Sequence, residues 1–154
     1  MGHQDEIEAR FQKIKKTLSK NKNASICLDK DEALAHLIYA AADLFIIPSL
    51  FEPCGLTQLI ALRYAAVPVA RATGGLVDTV FDIDTSKRPM DERNGFTFDF
   101  PDTKGIDWAL DRALNKWFQE RTQWHQLMQQ GIRADFSWTH SATEYVKLYH
   151  SLIR

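Results

Sequence analysis

Hydrophobic residues in the first half of the chain alternate between helical spacing and short continuous runs. Apolar positions recur every three or four residues over residues 5–20, 32–42 and 56–64, which predicts three amphipathic helices. Asp31 stands where it can cap the second of these helices. Three short apolar runs and one short alternating run predict strands. These predicted strands are residues 25–28, 44–47, 67–70 and 96–98.

Strands that alternate with helices at this spacing are typical of βαβ units. The pattern predicts an α/β fold with a parallel sheet and helices on both faces. Pro68 cannot donate to a ladder, so it indicates that the strand at 67–70 is at an edge, or that Pro68 is at a strand end. Residues 82–94 are polar and lack periodicity, which predicts a surface loop. Asn94 and Gly95 indicate a turn into the last strand.

The second half of the chain changes to helices alone and predicts a helical C-terminal tail. Helical spacing covers residues 103–119, 123–133 and 139–152. The segment Asp135-Phe-Ser-Trp138 separates the last two helices, and Ser137 or Thr139 is the predicted cap of the last helix. There is no internal repeat and no linker rich in Gly, Pro or Ser, which predicts a single domain.

Two polar loops follow neighbouring predicted strands and make the candidate site. Glu52 and Gly55 come just after the strand at 44–47, and Gly74 and Gly75 come just after the strand at 67–70. Because the carboxyl ends of parallel strands meet at one edge, we expect both loops to converge there on a ligand. Residues 55–58 then start a helix, whose free amides suit an anion such as a phosphate.

The individual residues of this loop allow more than one role. Glu52 can bind a ligand or cap the following helix, and Thr57 can bind a phosphate oxygen or cap the same helix. Cys54 has no histidine nearby in sequence to activate it, which favours a small packing residue over a nucleophile.

Composition excludes several classes of protein. The chain has 154 residues, 45% of them hydrophobic, and a net charge of −1, which gives no electrostatic case for nucleic acid or an acidic membrane surface. The absence of a long apolar run or a signal-peptide pattern predicts a soluble intracellular protein. Cys27 and Cys54 are expected to be reduced thiols. None of the five histidines stands at ligand spacing, so no metal site is predicted.

Two motifs carry a resemblance to a known family. Phe51-Glu-Pro-Cys-Gly-Leu-Thr-Gln58 is followed by Ala72-Thr-Gly-Gly-Leu-Val-Asp-Thr-Val80. This pair resembles the bacterial glycogen synthases and plant starch synthases of glycosyltransferase family 5. The likeness continues through Asn94-Gly-Phe96 and Asp135-Phe-Ser-Trp138, and it covers nearly the whole chain.

The resemblance implies a fold and an activity. Members of this family are two-domain GT-B enzymes with the active site between two Rossmann-like domains. Residues 1–154 would be one C-terminal nucleotide-sugar-binding domain, without the N-terminal domain and the start of its own. The reaction would be retaining transfer of glucose from ADP-glucose to an α-1,4-glucan, without a cofactor, in a bacterial cytoplasm or a plastid stroma. The glucan would bind mainly through the N-terminal domain, so this polypeptide alone is expected to be inactive.

The resemblance also implies site residues, with Glu52 as the catalytic one. The residues implied around the donor glucose and diphosphate are Glu52, Pro53, Cys54, Gly55, Leu56, Thr57, Thr73, Gly74 and Gly75. Ile60 stands where many related glycosyltransferases have a second Glu. The glycogen and starch synthases also lack this Glu, so Ile60 agrees with that subfamily. Lys30 stands where the family often has a Tyr against adenine, so Lys30 is the predicted base contact. That departure favours one alternative, another GT-B enzyme that uses UDP-glucose. A second alternative, from another class of protein, is a non-catalytic α/β binding module.

Overall fold

Three parallel strands form the sheet in a computed structural model of the chain, which describes residues 2–153. The strands are β1 (Leu44–Ile47), β2 (Val67–Arg71) and β3 (Phe96–Phe98), and β2 lies between the other two. Both pairings are parallel, with Leu44 opposite Val67 and Val69 opposite Phe96. The predicted parallel sheet is therefore confirmed, and all three carboxyl ends lie at one edge.

The described residues contain six α-helices. They are α1 (Gly2–Leu18), α2 (Glu32–Ala41), α3 (Thr57–Arg63), α4 (Thr103–Gln119), α5 (Arg121–Arg133) and α6 (Trp138–Leu152). Asp31 and Ser137 act as predicted, since Asp31 Oδ1 accepts from the Leu34 amide at 2.9 Å and Ser137 Oγ from the His140 amide at 3.4 Å. Within the described residues, no helix is long and apolar enough to cross a membrane.

The chain groups into two compact units. The first runs to Ala35 and contains α1 and the segment that leads into α2. The second begins at His36 and contains the sheet with α3 to α6. The single domain expected from the sequence stays a prediction.

Each face of the sheet carries a cluster of buried residues in the second unit. On one face Val67, Val69 and Phe96 pack with α4 and with Trp124 and Leu127 of α5. On the other face, Ile47 and Ala70 pack with Leu76 and Val80, which follow β2. The ring of Tyr39 in α2 stacks on Phe45 of β1 beside this second cluster, with centroids 4.6 Å apart. The prediction of helices on both faces is confirmed.

Residues 25–28 do not form the strand predicted for them. Apolar character alone does not make a strand, because a strand also needs a neighbour to hydrogen-bond. In the described chain the sheet consists of β1, β2 and β3, and this segment pairs with none of them.

Pro68 lies near the start of the central strand, so the edge alternative is wrong and the position near a strand end is confirmed. The amide of Val67 donates to Asp43 on the β1 side. Because successive amides point to opposite sides of a strand, the nitrogen of Pro68 points toward β3. The ladder with β3 begins only at Val69, so the missing N–H costs no ladder bond.

The segment at 82–94 is not wholly a surface loop. Asp82, Ile83 and Asn94 are buried, and residues 90–92 form a short 3₁₀ helix. Gly95 pairs with Asp82 in an isolated parallel bridge, so Asn94 and Gly95 do not form the predicted turn. The Asn94 side chain instead accepts from the Phe81 amide and donates to the Thr79 carbonyl, which fixes this connection to the sheet.

Candidate functional site

The two predicted loops meet at the carboxyl edge of the sheet. The amide of Gly75 donates to the carbonyl oxygen of Glu52 at 3.0 Å, which joins the loop after β2 to the loop after β1. Gly74 has a φ of 51°, and a Cβ there would overlap the Glu52 carbonyl. A Cβ on Gly75 would overlap the carbonyl of Cys54. Glycine is therefore required at both positions by close approach. The predicted meeting of the two loops is confirmed, and the ligand expected between them stays a prediction.

Glu52 is half-buried, and its carboxylate is held by a neighbour in the same loop. Ser49 Oγ donates to Glu52 Oε2 at 3.1 Å. Leu56 occupies the N-cap position of α3 without a side-chain capping hydrogen bond, and Thr57 is the first residue of the helix. Neither Glu52 nor Thr57 therefore caps α3 in the described chain. The ligand-binding alternative remains for both residues.

The other residues implied around the donor differ in exposure. Pro53, Cys54 and Leu56 are exposed, whereas Gly55 is buried. Thr73 is half-buried and precedes a short 3₁₀ helix at Gly74–Leu76. The thiol of Cys54 is free. These residues lie in the two loops that the Gly75–Glu52 hydrogen bond joins.

Gln58 joins the two loops from beneath, a role not predicted from the sequence. Its Nε2 donates to the carbonyl of Gly55 at 2.9 Å and to Thr79 Oγ1 at 3.0 Å. Thr79 Oγ1 in turn donates to the carbonyl of Gly75 at 2.9 Å. Gln58 is fully buried on the apolar stripe of α3. A polar residue on such a stripe is the signal that could have identified it.

A second polar cluster lies where the connection from β2 to β3 packs on α4. Asp82 is 3% exposed, and both of its oxygens accept from the guanidinium of Arg112 at 2.9 and 3.0 Å. Burial raises the pKa of Asp82, but hydrogen bonds from Arg112 and from the Thr97 and Asp84 amides outweigh it and lower the pKa to about 2. The Arg112 guanidinium also lies 3.7 Å from the ring centroid of Trp108.

Lys30, the predicted base contact, is exposed and belongs to the first unit. Its contact with a nucleotide stays a prediction. Among the described residues, no three side chains of His, Cys, Asp or Glu lie close enough together to hold a metal ion.

Comparison with known proteins places the chain in a family. Residues 2–130 match the family described as "Glycosyl transferases group 1". The glycogen synthase of Protochlamydia amoebophila (strain UWE25) is 49% identical over 146 residues, which are 95% of this chain and 29% of that protein. A probable chloroplastic or amyloplastic starch synthase 4 of Arabidopsis thaliana is 49% identical over 143 residues, which are 93% of this chain and 14% of that protein.

Solved structures agree with these sequences. The catalytic domain of starch synthase IV from Arabidopsis thaliana, bound to ADP and acarbose, has a TM-score of 0.88 at 48% identity and covers 96% of this chain. A sucrose-phosphate synthase from Thermosynechococcus elongatus has a TM-score of 0.63 at 23% identity, which shows a shared fold alone.

This chain spans less than a third of the length of the glycogen and starch synthases that it matches. The resemblance inferred from the loop motifs is nevertheless confirmed, because the sequence comparisons and the starch synthase structure lead to the same group of enzymes. The fold matches the GT-B fold of the starch synthase IV catalytic domain. The chain belongs to the group 1 glycosyl transferases.

Proposed function

We propose that this chain is the donor-binding part of a retaining glucosyltransferase that moves glucose from ADP-glucose to the non-reducing 4-hydroxyl of an α-1,4-glucan. The observation that carries the proposal is the position of the Glu52 carboxylate. Ser49 orients it at the point where the loops after β1 and β2 meet. The starch synthase with the same fold was solved with ADP and acarbose, a nucleotide and a sugar chain, which supports this choice of substrates.

Glu52 is assigned to the hydroxyl groups of the donor glucose. A carboxylate accepts hydrogen bonds through two oxygens, which suits a pair of neighbouring hydroxyls. The Ser49 hydroxyl bonds Oε2 and restricts the rotation of the group. Pro53 follows directly and fixes its own φ, which limits the movement of this loop.

The backbone at Cys54, Gly55 and Leu56, with the hydroxyl of Thr57, is assigned to the diphosphate. Negative charge grows on the diphosphate as its bond to glucose breaks, and fixed dipoles stabilise that charge without reorganising. Thr73, Gly74 and Gly75 line the same surface. Because the Gly75 amide already donates to the backbone carbonyl of Glu52, this glycine contributes shape and not a hydrogen bond to the donor.

ADP-glucose is the donor substrate in this proposal, and no cofactor is required. The glucan acceptor would be bound mainly by the part of the enzyme that corresponds to the unmatched length of the relatives. A bacterial cytoplasm or a plastid stroma fits the two kinds of relative, which are bacterial glycogen synthases and chloroplastic starch synthases.

The chain by itself is expected to bind the donor weakly and to transfer glucose negligibly. One wall of a cleft cannot exclude water or orient an acceptor, and orientation supplies a large part of such catalysis. The activity must therefore be measured in a chimera. We would replace the matching 146 residues of the Protochlamydia amoebophila glycogen synthase by the aligned part of this chain, at 49% identity.

The chimera should release ADP from ADP-glucose when a glucan primer is present. Glu52→Gln keeps the size of the side chain and removes the charge, and it should lower kcat by about 10²-fold or more. The measurement is the initial rate of ADP release with and without primer.

The matched control is Glu92→Gln, because Glu92 is a carboxylate that pairs with Arg88 on the surface. Its rate should stay within about twofold of the unsubstituted chimera. Equal rates for Glu52→Gln and Glu92→Gln would contradict the assignment of Glu52. Faster turnover with UDP-glucose than with ADP-glucose would contradict the donor.

A further inference from the structure

Arg71 is the last residue of β2, and its guanidinium connects the segments that follow both neighbouring strands. Nη1 donates to the carbonyl of Leu50 at 2.8 Å and to that of Ser49 at 3.2 Å, beyond the end of β1. Nε donates to the carbonyl of Asp99 at 3.1 Å, beyond the end of β3. One side chain of the central strand thus connects the ends of all three strands.

Ser49 relates this connection to the candidate site. Its carbonyl accepts from Arg71, and its hydroxyl donates to Glu52 Oε2 at 3.1 Å. The guanidinium is planar and always charged, so its hydrogen bonds have fixed directions. A shift of the Ser49 backbone would therefore also move the hydroxyl that orients the carboxylate.

We propose that Arg71 is a positioning residue that fixes Ser49 and Leu50, and through the Ser49 hydroxyl sets the direction of the Glu52 carboxylate. This inference rests on the proposed role of Glu52. The Nε and Nη1 groups of Arg71 act on the loop backbone in this proposal, because they donate to the carbonyls of Asp99 and Leu50. The fork geometry of the side chain matters more than its charge.

Two substitutions separate geometry from charge. Arg71→Gln removes both the charge and the fork, whereas Arg71→Lys keeps the charge and loses the fork. We expect both variants to behave alike. A residue that acts on phosphate by charge alone would instead be rescued by lysine.

The first measurement is amide hydrogen exchange on this chain, which needs no activity. The Gly75 amide reports the position of the loop because it donates to the backbone carbonyl of Glu52. In both variants its exchange should become about tenfold faster, together with the amides of residues 49–52, while the amide of Val69 in β2 changes less than about twofold. A residue with a purely global structural role would accelerate Val69 equally.

Arg93→Gln is the matched control. Arg93 also holds two backbone carbonyls, donating from Nε to Arg88 at 2.9 Å and from Nη1 to Ile83 at 2.8 Å. It lies in the connection between β2 and β3, outside the segment that contains Glu52. Its loss should leave exchange at Gly75 unchanged.

The second measurement is ADP release by the chimera. Displacement of a reacting group by about 1 Å can cost about 10²-fold in rate, so Arg71→Lys should lower kcat by about tenfold to 10²-fold with a smaller change in KM for the donor. The unsubstituted chimera tests the proposed function separately, since it must transfer glucose for that proposal to hold. Amide exchange at Gly75 tests whether Arg71 restrains the loop, whether or not the chimera transfers glucose.

Three results would overturn the inference. They are unchanged Gly75 exchange in Arg71→Gln, equal effects of the Arg93 and Arg71 substitutions at Gly75, and wild-type kcat in an active Arg71→Lys chimera.

Discussion

Asp82 keeps its charge at 3% exposure because Arg112 and nearby backbone amides hydrogen-bond both of its oxygens. Removing a carboxylate from such a pair leaves the cation buried without its main partner, and this costs more than the intact pair contributes. Arg112 is 17% exposed, whereas its second partner, Asp84, is 43% exposed. The two carboxylates beside Arg112 should therefore differ strongly in their effect on stability.

We expect Asp82→Asn to lower the free energy of unfolding by about 3 kcal/mol near neutral pH, because it leaves Arg112 underpaired. The folded pKa of Asp82 is lowered to about 2 from 3.8, so its stabilisation is present above pH 4 and is lost as the pH falls toward 2. The wild type should therefore lose about 2 kcal/mol of stability over this pH range, whereas Asp82→Asn should show no such pH-dependent loss. Urea unfolding at a series of pH values measures both effects.

Asp84→Asn provides the control for this prediction. Its carboxylate is largely exposed, and its removal should cost less than about 1 kcal/mol. Equal losses for the two substitutions would show that burial of Asp82 is not the source of the effect.

At the scale of single residues, the sequence predicts the positions of residues that directly follow a strand. Glu52, Gly74 and Gly75 follow strand ends, and parallel pairing brings such positions together. Gln58 and Asp82 depend on partners 21 and 30 residues away, namely Thr79 and Arg112. Such pairs follow from packing, which local patterns do not encode.

The helix α4 illustrates how a single element is fixed. It begins at Thr103 and ends at Gln119, as its spacing predicts, and it buries Ala109 and Ala113 against the sheet. Asp102 caps it, with Oδ1 accepting from the Gly105 amide at 2.8 Å. Because α4 covers one face of the sheet, its cap should contribute to the stability of the whole second unit.

Asp102→Ala should lower the free energy of unfolding by about 1 kcal/mol, since it leaves a first-turn amide without its acceptor. Asp102→Asn keeps an acceptor oxygen and should recover most of the loss. Thermal and urea unfolding provide the measurement.

Asp111→Ala serves as the comparison, because Asp111 is an exposed residue within the same helix. Its effect should stay within about 0.5 kcal/mol. If Asp102→Ala behaved in the same way, the cap would contribute nothing to folding.

Elements were predicted well where periodicity and length agreed, and poorly where pairing decided the outcome. Helices α4 and α2 follow their apolar spacing to within a residue. Residues 25–28 have the composition of a strand but no described strand to pair with. Pro68 is compatible with a central strand because its nitrogen faces the side where the β3 ladder has not yet begun, and the sequence does not show that direction.

At the scale of the whole molecule, the alternation of helix and strand was enough to predict the class of fold and the parallel sheet. The grouping of the chain into two units was not visible in composition, since no linker marks it. In the described sheet β1 is an edge strand, and Ile46 on it is 42% exposed. An uncharged edge strand can pair with another copy of the chain.

We expect Ile46→Lys to reduce concentration-dependent association of this chain, because a charged side chain on an edge strand opposes further pairing. Its cost in stability should be small, about 1 kcal/mol or less, since the side chain is already partly solvated. Light scattering after size-exclusion chromatography over a range of concentrations measures the association.

The neighbouring Ile47→Lys is the contrasting variant, because Ile47 is only 5% exposed. A charge there should unfold the sheet rather than protect it. Association of Ile46→Lys at the wild-type level would show that the β1 edge is not the contact.

The order β1, β2, β3 in space equals their order along the chain. During synthesis each new strand can therefore pair with a strand that has already emerged, without waiting for a distant segment. The loop that contains Glu52 precedes the Gly74 and Gly75 segment that meets it, and Asp99, which Arg71 also holds, comes last. We expect the carboxyl edge to be assembled in stages as the chain leaves the ribosome, with the hydrogen bond from Arg71 to Asp99 formed only after β3.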